Sequence, residues 1–204
     1  MREPLADIAG AALQRQGSTT RQARADRLTV LSGAPVVADV WVSGSLGFVL
    51  LLHRRNDGLL AEELYYSVRQ HDGFWEHCDH LNGSILGVDL ADPAVVEHAL
   101  AGAPVSVIGA SESLVHTGRG PDGDEGELVQ VAELLVGSEV DLIEVERVAP
   151  ASAGTAALST HRVPGPLMLL ALLPGERIRV SAVRTEGASR IYLGEVLDLH
   201  NPLM

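Results

Sequence analysis

Residues 46–69 read LGFVLLLHRRNDGLLAEELYYSVR, and this stretch decides the fold class. An apolar run, LGFVLLLH, sits between Gly44-Ser45 and Asn56-Asp57-Gly58, and ELYYSVRQ follows the second turn. Asp-Gly pairs favour tight hairpins because both central residues of a type I′ turn need positive φ. The stretch is therefore predicted as two antiparallel strands. Outward from it the same punctuation repeats. LTVL (28–31) and PVVADVWVSG (35–44) precede it, FWEHCDHL (74–81) and SILGVDL (84–90) follow it, and turns are expected at Ser32-Gly33, Asp72-Gly73 and Asn82-Gly83. Six short strands joined by tight turns predict an antiparallel sandwich or barrel.

The second half reads the same way. VSVIG (105–109), ELVQVAELLV, EVDLIEVERV, AALSTHRV and LMLLALL are strand-like, and TEGAS joins ERIRVSAVR to RIYLGEVLDL as a hairpin. In ERIRVSAVR, Ile178, Val180 and Ala182 alternate with Arg177, Arg179 and Ser181, one face dry and one wet. LMLLALL does not alternate, which predicts a strand buried on both faces. Residues 48–69 and 167–184 echo each other faintly, each with a buried strand, a turn and a strand ending in Val-Arg.

Two helices interrupt the pattern. Residues 4–16 place Leu5, Ile8, Ala9, Ala12 and Leu13 on one stripe, with Pro4 suited to the first turn and Gly17 past the end. Polar residues 17–27 read as a linker, so this helix docks either on the body or on a second subunit. Asp92 is a good N-cap, Pro93 fits the first turn, AVVEHALA follows and Gly102 can close the helix. The expected architecture is mainly β: an antiparallel β-sandwich of one or two lobes with an N-terminal helix and one short internal helix. Residues 1–26 form helix and linker, 27–118 a first β-rich lobe and 119–204 a second, with flexible breaks at 120–126 and 149–154.

Composition narrows the chemistry. The chain has 204 residues, 46% hydrophobic and only 3% aromatic, so Leu, Val, Ala and Ile must build the core. All fifteen basic residues are arginine, which excludes a lysine Schiff base and a Walker lysine. Net charge is −12, and residues 89–147 hold thirteen acids against two arginines, a field that repels nucleic acid. The start lacks a basic end followed by an apolar stretch, and the apolar runs at 46–52 and 166–174 are too short to span a bilayer. A cytoplasmic protein without membrane or nucleic-acid partners is expected.

FWEHCDHL is the most chemical segment, with the single cysteine and two of the eight histidines. On a strand, Glu76, Cys78 and His80 share one face and Trp75, His77 and Asp79 the other. Cys78 and His80 are then the candidate metal ligands, with His53, His71, His116 or His161 to complete a set, although a buried thiol beside a surface histidine explains the same residues. VIGASES misses a nucleophile elbow by one residue, and the strand-like sequence after Ser111 leaves no helix to hold it. Ser111 with His161 or His200 and Asp141 has the chain order of a hydrolase triad. DGDEGELVQVAE sets Asp122, Asp124 and Glu133 at calcium-loop positions, but Glu127 stands where the turn glycine belongs. Arg177, Arg179, Arg184 and Arg190 line a face of the last hairpin, suited to an acidic partner or to the chain's own acidic middle, with pairing within the fold or between subunits the simpler use.

These features predict a non-enzymatic protein-binding or assembly module, acidic and self-associating as a homodimer or larger homo-oligomer, with no cofactor. The alternative is a metal-dependent hydrolase or small-ligand enzyme with its site around Trp75, His77, Cys78 and His80.

Overall fold

The computed structural model describes residues 2–16, 34–117, 126–148, 157–163 and 165–202. The expected strand at 28–31, the Ser32-Gly33 turn, the linker at 17–27, the break at 149–154 and nearly all of the acidic loop at 120–126 lie outside the described residues.

The described chain contains α1 (Arg2–Gln16), β1 (Val36–Ser43), β2 (Leu46–Arg54), β3 (Leu60–Val68), β4 (Asp79–Ile85), α2 (Pro93–Leu100), β5 (Val105–His116), β6 (Gly126–Val136), β7 (Leu142–Arg147), β8 (Ala157–Arg162), β9 (Leu167–Leu172), β10 (Arg177–Glu186) and β11 (Ser189–His200). The fold is mainly β, an antiparallel sandwich-like arrangement of three sheets. The first runs β1-β2-β3-β4, the second β5-β6-β9 and the third β11-β10-β7-β8. No helix among the described residues is long and apolar enough to cross a membrane.

The deciding hairpin forms as read, with Leu50 opposite Leu64 and Arg54 opposite Leu60. Gly44, Gly58, Gly73 and Gly187 take the positive φ that their turns require. Asn82-Gly83 does not turn. It lies within β4, which joins the end of one segment expected as a strand to the start of the next. Gly83 serves the strand by being small: a Cβ there would sit 2.5 Å from Glu63 Oε2, so its absence lets that carboxylate cross over β4. VSVIG likewise belongs to a longer strand, β5, which absorbs Ser111.

One core joins all three sheets. Phe48, Leu50 and Leu64 of the first pack in one cluster with Val131, Leu134 and Leu169 of the second and Ile143, Val145 and Val180 of the third. β9 is buried along its whole length, as its unbroken apolar run predicts. It is fastened to β1, where the Leu169 N–H donates to Asp39 Oδ2 at 2.8 Å. β5 and β6, on either side of residue 118, pair over their whole length. The echo between residues 48–69 and 167–184 has no counterpart in the fold, because β2 and β3 are sheet neighbours while β9 and β10 belong to different sheets.

α1 settles on its own chain. Leu5, Ala6, Ala9, Ala12 and Leu13 bury against Val49, Leu51, Tyr65 and Cys78 on the outer face of the first sheet. In α2 the Asp92 carboxylate accepts the Ala94 N–H, and the helix closes through Ala101 and the expected Gly102, both with positive φ. The four arginines of the last hairpin pair within the fold: Arg177 with Asp198, Arg179 with Glu146, Arg184 with Glu186 and Arg190 with Glu144. Two of those acids, Glu144 and Glu146, belong to the acidic middle of the chain.

Candidate functional site

The residues of the 74–81 segment go to different places. Only Asp79 onward is strand, so the strict alternation expected from residue 74 does not develop. Trp75 lies under the Arg69 guanidinium, whose Cζ stands 4.5 Å from the ring centroid, and His77 is exposed. Cys78 is buried beneath α1, facing Gly10. Desolvation, then the Asp79 charge, push its thiol up to about 11, against a Ser67 hydrogen bond that lowers it. A thiol held protonated is a poor ligand and a poor nucleophile. His80 turns instead to Glu63 and to the edge of the Tyr65 ring.

The triad order is not realised as a constellation. Ser111 lies mid-strand, with its Oγ buried and without a hydrogen-bond partner. His161 is paired with Ser159, Nε2 to Oγ at 2.9 Å, and its ring stands 4.6 Å from that of Trp41. Burial, then the Arg147 charge, lower the pKa of this imidazole. Asp141 accepts both the N–H and the Oγ–H of Thr185. Among the described residues no group of three or more His, Cys, Asp or Glu side chains is placed to hold a metal ion. Asp122 and Asp124 lie outside the described residues, and Glu133 faces another carboxyl rather than a loop.

What the fold does bring together is a carboxylate between two imidazoles. His53 on β2, Glu63 on β3 and His80 on β4 occupy adjacent strands and share the face that carries α1. His80 Nε2 lies 2.5 Å from Glu63 Oε2, and His53 Nε2 approaches Glu63 Oε1 at 3.5 Å. A carboxylate only accepts, so the imidazoles present Nε2–H to it and leave Nδ1 to other partners. His53 and Glu63 line an open cleft of about 780 Å³, together with Leu5, Arg54, Arg55 and Ser84. Sequence reading singled out His80 and named His53 as a possible partner, but missed Glu63. The available signal was β-pairing: once 46–69 is a hairpin, His53 and Glu63 fall on one face of neighbouring strands.

Behind this wall, on the opposite face of β3, lies a second pair. Glu62 and Glu133 are both buried, at 8% and 9% exposure. Ser84 Oγ–H donates to Glu62 Oε1, while Glu62 Oε2 is buried with no partner. Burial first, and Glu62 second, push the Glu133 carboxyl up to about 8. Gly109 opposite Glu133 makes the room, since a Cβ there would meet Glu133 Oε2 at 2.6 Å.

Fold and sites define a mainly β protein with a histidine–carboxylate cleft on one sheet and a buried carboxyl pair behind it. Comparison with family models, curated proteins and solved structures finds no match to this chain.

Proposed function

We propose that the chain is a non-enzymatic protein-binding and assembly module whose partner is a second copy of itself, added at the edge of β8, which no described strand covers. The observation that supports this reading is that edge. Natural sheets blunt their edges with bulges and charge. β1, β4, β5 and β11 each pair through a register shift. β8 pairs with β7 in unbroken register. All of its residues but His161 are exposed, and Leu158 is 62% exposed. Charge favours contact there as well: residues 148–204 carry four acids against five arginines, in a chain whose acids crowd elsewhere. α1 plays no part in this contact, since its stripe is used on its own sheet. Light scattering or sedimentation tests the reading. The wild type is expected at twice the chain mass, and the double variant Leu158→Lys, Thr160→Lys at the chain mass with its melting unchanged. A wild type that stays at the chain mass at its highest attainable concentration removes the proposal.

A second reading is favoured by the His53–Glu63–His80 arrangement. In it the cleft takes a small anionic ligand, which Arg54 attracts beside the Arg55–Asp57 ion pair and an imidazole meets through Nδ1. This moves the alternative enzyme-like site from Trp75, His77 and Cys78 to the other side of His80. Titration with inorganic phosphate and with succinate, followed by the ring signals of His53 and His80, decides it. Unmoved signals sink it.

A further inference from the structure

We infer that Glu62 and Glu133 hold a single proton between them, and that this proton is a pH-operated clasp joining the first sheet to the second. Glu62 of β3 and Glu133 of β6 are both buried and within hydrogen-bonding reach of each other, and among the described residues Glu62 Oε2 has no donor although Oε1 is served by Ser84. A buried acceptor without a donor costs about 1–3 kcal/mol, and more when it is charged. Two ionised carboxylates in contact cost more again, so such pairs keep one proton. One proton removes both penalties: it neutralises one carboxyl and gives the orphaned oxygen its donor.

Among the described residues the neighbours offer no other source of neutralisation. β4 contributes Ser84, β5 contributes Gly109 and, two positions along the same face, Ser111, and β9 sets Leu169 beside Glu133. None of these carries a charge. Among the described residues the charge that raises the Glu133 carboxyl is that of Glu62, and the next carboxylate, Asp39, is engaged by the Leu169 N–H. Glu63, His53 and His80 occupy the other face of the first sheet. The absent side chain at Gly109 is part of the device, because it lets Glu133 lie flat along β5 toward its partner.

The direction follows from linkage. The Glu133 carboxyl titrates at about 8 in the folded chain against an ordinary 4.5. Between these values the folded state holds a proton that the unfolded chain has lost, so stability falls as pH rises through the window and levels off above it. At full effect a single linked proton raises the unfolding equilibrium constant about tenfold per pH unit.

Chemical denaturation of the full chain across that window tests this, with Glu133→Gln and Glu62→Gln beside the wild type. The wild type is expected to lose stability steadily toward pH 8. Glu133→Gln is expected to hold a nearly flat profile, because its amide N–H₂ replaces the proton as donor to Glu62. The infrared C=O stretch of a protonated carboxylic acid reads the same proton without any variant that must fold. It is expected in the wild type at neutral pH, fading as pH rises through about 8. A flat wild-type profile or a missing carboxylic-acid band overturns the proposal. So does a neutral-pH stability that drops on adding a chelator, since a divalent cation would then hold the pair.

Discussion

Cys78 shows how far a residue's surroundings decide its chemistry. The sequence offers a lone thiol beside histidines and acids, which reads as reactive, and the fold places it beneath a helix with its pKa raised to about 11. Native protein is expected to resist iodoacetamide near neutral pH and to react fully once denatured, as mass spectrometry would show. Rapid native labelling would place the thiol elsewhere. Gly83 carries the opposite lesson. The Asn-Gly pair promises a turn by its dipeptide chemistry, yet the glycine is spent on the approach of Glu63. Gly83→Ala is expected to cost about 1–2 kcal/mol, the worth of the Glu63–His80 bond it displaces. It should also loosen the His80 ring signals in the NMR spectrum. That site was half legible: one residue of three stood out by type, one was named as a possible partner, and Glu63 had no signal until strands were paired.

At the scale of elements the reading was better, because local patterns are what make elements. The 46–69 hairpin, the Asp92-Pro93 helix start and the 185–189 turn each follow from dipeptide chemistry and period, and each forms. Two boundaries escaped the sequence for a physical reason. β5 is longer than its segment suggested and β4 is offset from its two, because pairing with β6 and β3 carries extended backbone through Gly109 and Gly83. Glu144 shows what such pairing does for charge. Its side chain is 5% exposed and accepts hydrogen bonds from Arg190 and from Tyr192 Oη, at 2.8 Å for the tyrosine. Glu144→Ala is expected to cost about 1–3 kcal/mol in chemical denaturation. No change would mean that β7, β10 and β11 hold together without their polar bridge.

For the whole molecule, the sandwich class was legible from strand count and turns, but the grouping of strands into three sheets was not. Nothing within a strand states its partner: β9 and β10 are consecutive and part company, while β10 joins β7. The N-terminal stripe likewise announced burial without naming its surface. That surface is the first sheet, and Leu5 and Leu13 each contribute about 1.5–3 kcal/mol by burial there. Removal of residues 1–16 is therefore expected to lower the unfolding free energy by several kcal/mol. It should also raise dye binding at the bared Val49, Leu51 and Tyr65. A truncated chain with unchanged stability would show that the helix is an ornament of this sheet.

The fastening of β9 reaches beyond the finished fold. Its bond to Asp39 closes a separation of 130 residues, and its six apolar side chains have no wet face to show in the meantime. Contacts so distant along the chain form slowly. On the ribosome the first sheet emerges long before the strand that caps its border, and LMLLAL leaves the tunnel as a naked greasy hexamer. Until that border is sealed, another nascent chain can find the same apolar strand, so clumping during synthesis is a hazard that this one late contact removes.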